Sequence, residues 1–207
     1  MNTKIALVFI LFFFISGCFS EQSVINKYYT IEHQYESPSD NINGAFKISG
    51  ICELMPVEIN SLYESNKIVN RSDSHEITYY KSHQWAVRPS VAIREMTLQH
   101  LEDSKLFEGI SIRYLNKIPD YKFETLLRKL EVIEDEESFA AHLEIEFRIK
   151  NKSGEMLANH IAQRTEKLAE KDMNLFAGKV SNIIHEELDL FISGCDEEKL
   201  KAGQPTN

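Results

Sequence analysis

From Ala141 to Lys150 apolar and polar side chains alternate without a break. Ala141, Leu143, Ile145, Phe147 and Ile149 interleave with His142, Glu144, Glu146, Arg148 and Lys150. A period of two marks a strand with one face on a core and the other in water. The turn residues Asn151 to Gly154 ("NKSG") follow, and "EMLANHIAQRTEKL" can return as the partner of a hairpin. Between Met173 and Ile192 the period changes. Phe176, Val180, Ile183, Ile184, Leu188 and Phe191 fall on one helical stripe, and Gly194 stands just past its end as a C-cap.

The first half of the chain is less regular. Tyr28 to Gln34 reads as a strand, Ser37 to Asn41 ("SPSDN") as a turn, and Gly44 to Leu54 as the next strand. His75 to Tyr80 ("HEITYY") alternates and is rich in β-formers, which predicts a third. After Pro89 the spacing of Ala92, Ile93, Met96 and Leu101 predicts a helix running toward Phe107, with Ser90 as its N-cap. Gly109 to Leu115 reads as a strand that breaks at Pro119. Lys122 to Glu134 fits two periods. Leu126, Leu130 and Ile133 suit a helix capped by Asp120, whereas Leu130 and Val132 suit a strand. The acidic run Glu134 to Glu137 reads as a solvated turn. The sum is an α+β domain, a largely antiparallel sheet of about 5–7 strands with two amphipathic helices packed mainly on one face.

The N-terminus has a pattern of its own. Met1 and Lys4 give a positive start, Ile5 to Ile15 is an unbroken apolar run, and Ser16-Gly17 are the small residues a signal peptidase needs. As a helix this run rises about 17 Å, short of a hydrocarbon core of roughly 30 Å, so it reads as a signal segment and not a span. Cys18 comes next. "ISGC" resembles the lipobox of bacterial lipoproteins, which implies residues 1–17 as a signal peptide, lipidation of the Cys18 thiol and acylation of the freed amine. Several acyl chains at about 0.8 kcal/mol per buried methylene make such an anchor effectively permanent. Residues 18–27 then form a short lipidated tether, 28–194 the domain, and 195–207 a polar tail. Phe19 and Ser20 leave no aspartate beside the cysteine. By resemblance to the enterobacterial sorting rule, this points to the outer membrane, facing the periplasm.

The chain has 207 residues and a net charge of -9, with 43% hydrophobic and 27% charged positions. It is long enough for one domain with a full core, and its acidity argues against nucleic acid as a partner. Cys52 and Cys195 stand on no disulfide framework, and the reading leaves open either a bridge or two buried free thiols.

Motifs for chemistry are absent. His75 and His83 flank the third strand without metal-ligand spacing, and "HEI" at His75 and "HEEL" at His185 each lack a second histidine. No G-x-S-x-G, P-loop or GxGxxG occurs. The reading therefore expects no catalytic residue, no metal and no cofactor. An enzyme built around His75 and His83 is the weakest of the alternatives.

One block is specific. "NKIVNRSDSHEITYYKSHQWAVRPSVAIREMTLQHLEDSKLFEGI" resembles the hallmark segment of the ABC-type transport auxiliary lipoprotein family through Ile68, Val69, Arg71, Glu76, Ile77, Tyr79, Tyr80, Trp85, Pro89 and Phe107. "PDY" at Pro119 to Tyr121 and the late amphipathic helix extend the likeness. Asn70 departs from it, standing where the family often has tyrosine. The resemblance implies a non-catalytic adaptor, membrane-bound through its lipid anchor. It would work with an MCE-domain (mammalian cell entry) substrate-binding protein, a permease and an ATPase that move lipid between membranes. A lipoprotein assisting another envelope machine, for lipopolysaccharide or β-barrel insertion, is the alternative, and homo-oligomerisation stays open. Two roles suit Trp85. It can plug the junction of strand and helix, or it can join Arg71, Tyr79 and Tyr80 in a partner-binding patch, since Trp, Tyr and Arg dominate interface energies.

Overall fold

The computed structural model describes residues 25–32, 48–136 and 138–195. The signal segment, Cys18, the tether up to residue 24, the Ser37–Asn41 turn and the tail beyond Cys195 lie outside the described residues. In chain order the elements are β1 (Lys27–Tyr29), β2 (Ile48–Leu54), β3 (Glu58–Ile59), β4 (Lys67–Arg71), β5 (Ile77–Trp85) and helix α1 (Pro89–Ser104). They continue with β6 (Phe107–Ser111), β7 (Tyr121–Glu134), β8 (Phe139–Asn151), β9 (Met156–Lys167) and helix α2 (Met173–Ser193).

Strand β7 organises everything else. One edge pairs antiparallel with β8 along its whole length, and β8 pairs antiparallel with β9. The other edge receives three short strands in series, all parallel to it: β2 at Tyr121–Phe123, β3 at Leu126–Leu127 and β4 at Glu131–Ile133. From β4 the sheet continues antiparallel to β5 and then parallel to β1, while β2 carries β6 in parallel.

The architecture is thus α+β, but the sheet is mixed and has nine strands among the described residues, in place of the largely antiparallel 5–7 expected. Hairpins are visible in sequence because both strands and their turn are contiguous. Parallel pairing joins segments far apart in the chain, and nothing local announces it.

The ambiguity of residues 122–134 has a physical origin. A bulge between Leu127 and Lys129 puts one extra residue into β7. Before it Tyr121, Phe123, Thr125 and Leu127 point to the core, and after it Leu130 and Val132 do. A one-residue shift of phase inside an alternating strand produces spacings of three that imitate a helix. Asp120 caps no helix. It ties β7 to β2, its backbone N–H donating to Ile51 O and its Oδ2 accepting from Ile51 N, each at 3.0 Å.

Helix α2 buries its apolar stripe over β8 and β9 and touches β1 and α1. Phe191 meets Phe123 and Phe147 at ring separations of 5.6 and 6.0 Å. Each such fully buried ring contributes roughly 1.5–3 kcal/mol. Asp172 caps the N-terminus by accepting from the backbone of Asn174 and Leu175, and Gly194 is the C-cap, its N–H donating to Leu190 O at 2.9 Å. Polar ties on β9 hold the same helix. Arg164 donates to Glu187 at 2.7 Å, and His160 lies 2.7 Å from the other oxygen of that buried carboxylate.

Helix α1 starts differently from expectation. Arg88 is its N-cap and makes no side-chain capping bond to the helix; Pro89, with its fixed φ and missing donor, takes the first position, and Ser90 lies inside the first turn. The helix ends at Ser104 with Lys105 left-handed (φ 52°), earlier than Phe107, and β6 accordingly begins at Phe107. Strands β3 and β4 were not anticipated, because each is too short to show a period. The outer face of β8 also differs from a simple wet face. His142 and Glu146 are buried there, Glu146 between Arg128 and Arg148. Among the described residues no helix is long and apolar enough to cross a membrane.

Candidate functional site

The candidate contact residues Arg71, Tyr79, Tyr80 and Trp85 lie on β4 and β5, and the fold sends them to different environments. Trp85, at the end of β5, is 2% exposed and packs on Phe176 of α2 with ring centroids 5.7 Å apart. Asn66 donates to its carbonyl at 2.9 Å, which fixes the end of the strand. Trp85 therefore stands in the core where sheet and helix meet.

Arg71 ends β4 and points at β7. Its Nε and Nη2 donate to the two carboxylate oxygens of Glu131 at 2.7 and 2.8 Å, and Tyr63 donates to the same carboxylate at 2.9 Å. Glu131 is 1% exposed, so three donors from two segments replace the water it has lost. The carboxylate in turn raises the Arg71 pKa, chiefly through its hydrogen bonds, and the Tyr63 phenol is pushed up by burial first and by Glu131 second.

Tyr80 faces the opposite way. Its hydroxyl donates to Glu134 in a short hydrogen bond, and its ring meets His83 edge-on at 5.9 Å. His83 Nδ1 lies 2.7 Å from the Tyr29 hydroxyl, and Lys171 donates to Glu134 at 3.3 Å. These side chains line an open hollow of about 200 Å³ together with Lys27, Phe139, Asp172 and Met173. Burial, followed by the bond to Glu134, raises the Tyr80 pKa, and burial with the nearby Asp172 charge raises that of Tyr29. Phenols held this way remain protonated donors through the physiological range. They can orient a polar group but not abstract its proton. A wider groove, about 590 Å³, opens between β1 and the first half of α2, lined by Tyr28, Glu32, Lys167, Leu175 and Asn182 among others.

Of the four aromatic and basic residues, Tyr79 alone presents an open ring. It is 41% exposed, with the Lys67 ammonium 5.1 Å from its centroid. His75 meets Ser74 and does not join His83. Strongly exposed aliphatics lie elsewhere, at Ile25 ahead of β1 and at Leu115 and Ile118 on the β6–β7 loop, with Ile112 half exposed on the same loop.

One cluster escaped sequence reasoning altogether. "HEEL" at His185 has no second histidine nearby in the chain, yet α1 supplies His100 from across the helix joint, and Asp189 lies one turn beyond His185. The only local signal was the four-residue spacing of His185 and Asp189, which places them on one helix face. Cys52 and Cys195 are both free and buried, which decides the open question in favour of two thiols. Burial raises the pKa of each, that of Cys195 to about 12.

Residues 29–187 match the family described as the ABC-type transport auxiliary lipoprotein component, well over half of the chain. The chain belongs to that family. This auxiliary lipoprotein resembles the crystal structure of protein XCC0632 from Xanthomonas campestris with a TM-score of 0.70 and 14% identity, covering 85% of this chain and 98% of that one. A second crystal structure, of an uncharacterised protein, matches with a TM-score of 0.64 and 10% identity, covering 83% and 99%. At these identities the likeness concerns the fold alone. No curated protein sequence matches. The family description makes the auxiliary lipoprotein an envelope component associated with an ABC transport system.

Proposed function

We propose that this auxiliary lipoprotein is a non-catalytic adaptor of an MCE-type ABC lipid transport system. In this reading it is held on the periplasmic face of the outer membrane by a fatty-acylated Cys18. The observation that carries the reading is the family match across residues 29–187, which runs from the last residue of β1 through β9 and into the second half of α2. The "ISGC" lipobox, with no aspartate after Cys18, supports the anchor and its sorting.

The geometry agrees with a part that positions a neighbour. Arg71 and Glu131 are locked in mutual hydrogen bonds, and the Tyr63 and Tyr80 phenols are engaged as donors to Glu131 and Glu134. Tyr79 supplies an aromatic contact backed by Lys67, and Arg71 stiffens the strand behind it. A rigid exposed aromatic loses little entropy on binding and is a common anchor at interfaces.

Affinity capture of the lipoprotein from crosslinked, detergent-solubilised envelopes tests this. The reading expects an MCE-domain protein in the eluate, with recovery reduced several-fold by Tyr79→Ala. It also expects Cys18→Ala to leave the domain folded and shift it out of the outer-membrane fraction. Capture of other envelope machinery, with no MCE-domain protein present, would overturn the reading.

A further inference from the structure

We infer that the open edge of β9 pairs antiparallel with the β9 edge of a second copy of this chain, with Ile161 on the two-fold axis. Strand β9 bonds to β8 along one side, and among the described residues no strand lies along the other. Leu168 N–H donates to Phe139 O, in the register that β8 and β9 keep back to Ala158. The even-numbered residues of this stretch therefore turn their backbone groups to β8. The odd-numbered ones, Asn159 to Lys167, aim N–H and C=O outward.

An edge of this length is a template for another strand, and proteins that leave one open blunt it with proline, a bulge or charged side chains. On the face away from α2 this edge carries Asn159, Ile161, Gln163 and Thr165, all exposed and none charged, in a chain with 27% charged positions. Only Lys167, at the end, adds charge to that row. The strand contains no proline, and its one irregularity in pairing lies at the hairpin end. Ile161 stands 63% exposed in the middle.

In a two-fold pairing the same patch serves both copies, and each residue is opposed by the one equally far beyond the axis. Centred on Ile161, the strands overlap along nearly their whole length. Ile161 meets its own copy, and Asn159 meets the partner's Gln163. Glu155, just ahead of the strand, comes opposite the partner's Lys167. On the helix side His160 faces the partner's Ala162, and Ala158 faces the partner's Arg164, a small residue against a large one each time. Within the strands no like charges are opposed, and any other centre parts Glu155 from Lys167. The paired edges exchange roughly six to ten backbone hydrogen bonds. Apolar surface continues beside them. Leu190 of α2, 54% exposed, lines a hollow of about 220 Å³ with Leu157 and Ala158.

The pairing is independent of the transport reading, since it uses neither Tyr79 nor Arg71. Its test uses the chain from residue 18 with Cys18→Ala. Sedimentation velocity between about 1 and 100 μM should show a monomer–dimer equilibrium and nothing larger. Ile161→Lys sets two ammonium groups face to face on the axis and should weaken the dimer roughly tenfold or more. The side chain is exposed in the single copy, so the Tm of the dilute monomer should match wild type. Ile161→Cys reads the register. Residues paired on the axis stand about 5.5 Å apart at Cα, inside the roughly 4.4–6.8 Å that a disulfide spans, so mild oxidation should link the two copies. Gln163→Cys, about 13 Å from its own mate, should stay unlinked. A monomer at the highest concentration, which a segment of the same chain laid on the edge would give, overturns the proposal. So does a dimer or larger assembly that survives Ile161→Lys, or a dimer in which Ile161→Cys links no better than Gln163→Cys.

Discussion

Arg71 and Glu131 face each other as two forks, guanidinium against carboxylate, with both bonds under 3 Å and the acid fully enclosed. The pair joins β4 to β7 at the point where the parallel contact between them forms. It also recruits Tyr63 from the preceding loop. A residue that first drew notice as a partner-binding candidate is engaged inside its own fold.

Removing one half of such a pair strands the other. Arg71→Ala leaves Glu131 buried with a single phenol donor and should cost about 3 kcal/mol. Arg71→Lys keeps the charge but loses the fork, so a smaller loss of about 1 kcal/mol is expected. Urea unfolding of both variants measures this, and equal stability of Arg71→Ala and wild type would contradict the account.

Gly50 sits at φ +119° on β2, and a Cβ there would lie 2.8 Å from Asp120 Oδ2, the atom that accepts from Ile51. Gly50→Ala should therefore combine backbone strain with a broken clasp between β2 and β7, costing about 1–3 kcal/mol. Gly154 offers a comparison. Its φ is +87°, but nothing lies within 4 Å of the added atom, so Gly154→Ala should lose only the strain, about 1 kcal/mol. Thermal melts of the two variants side by side give the difference.

Acid should weaken the ion pairs of the long hairpin, those of Glu144 and Glu146 on its outer face and that of Glu166 on the face toward α2. Glu146 is held below the ordinary 4.5, first by the hydrogen bond from Arg148 and also by Arg128, against the opposing effect of burial. For Glu144 and Glu166 burial is the largest single influence and pushes upward. Lys129 and His142 together outweigh it at Glu144, and Lys179 and Arg164 do so at Glu166. A carboxylate with a lowered folded-state pKa favours the fold above its unfolded value and gives that up as pH falls through the folded one. Urea midpoints should accordingly hold steady from pH 7 to 5 and decline below about 4.5. Glu146→Gln should lower the midpoint at pH 7 and flatten its acid dependence.

The two thiols should be silent in the native state. Cys52 and Cys195 are buried, and their raised pKa values leave almost no thiolate at pH 8. Ellman's reagent should find no reactive thiol in the folded Cys18→Ala chain and two in denaturant. Prompt reaction without denaturant would show that one of them is reachable.

How much of this could be read from the chain depends on the range of the interaction concerned. The β8–β9 hairpin, the apolar stripe of α2, the Gly194 cap and the two-helix α+β class were all legible. Each rests on periodicity or turn chemistry within about twenty residues, which is the distance over which a sequence states its own geometry. The family resemblance was legible too, through a block whose spacing the backbone of β4, β5 and α1 dictates.

The parallel docking of β2, β3 and β4 along one edge of β7 was not legible, and neither were the Arg71–Glu131 and His100–His185–Asp189 clusters. Their members lie tens of residues apart, and no local pattern records which surfaces will meet. The bulge at Leu127 to Lys129 stands between the two cases. Its effect on the pattern was visible as an ambiguity, but only the pairing with β8 decided that the segment is a strand. Sequence alone determined the long periodic elements and the α+β class. Tertiary packing determined which polar groups lost their water and had to find each other.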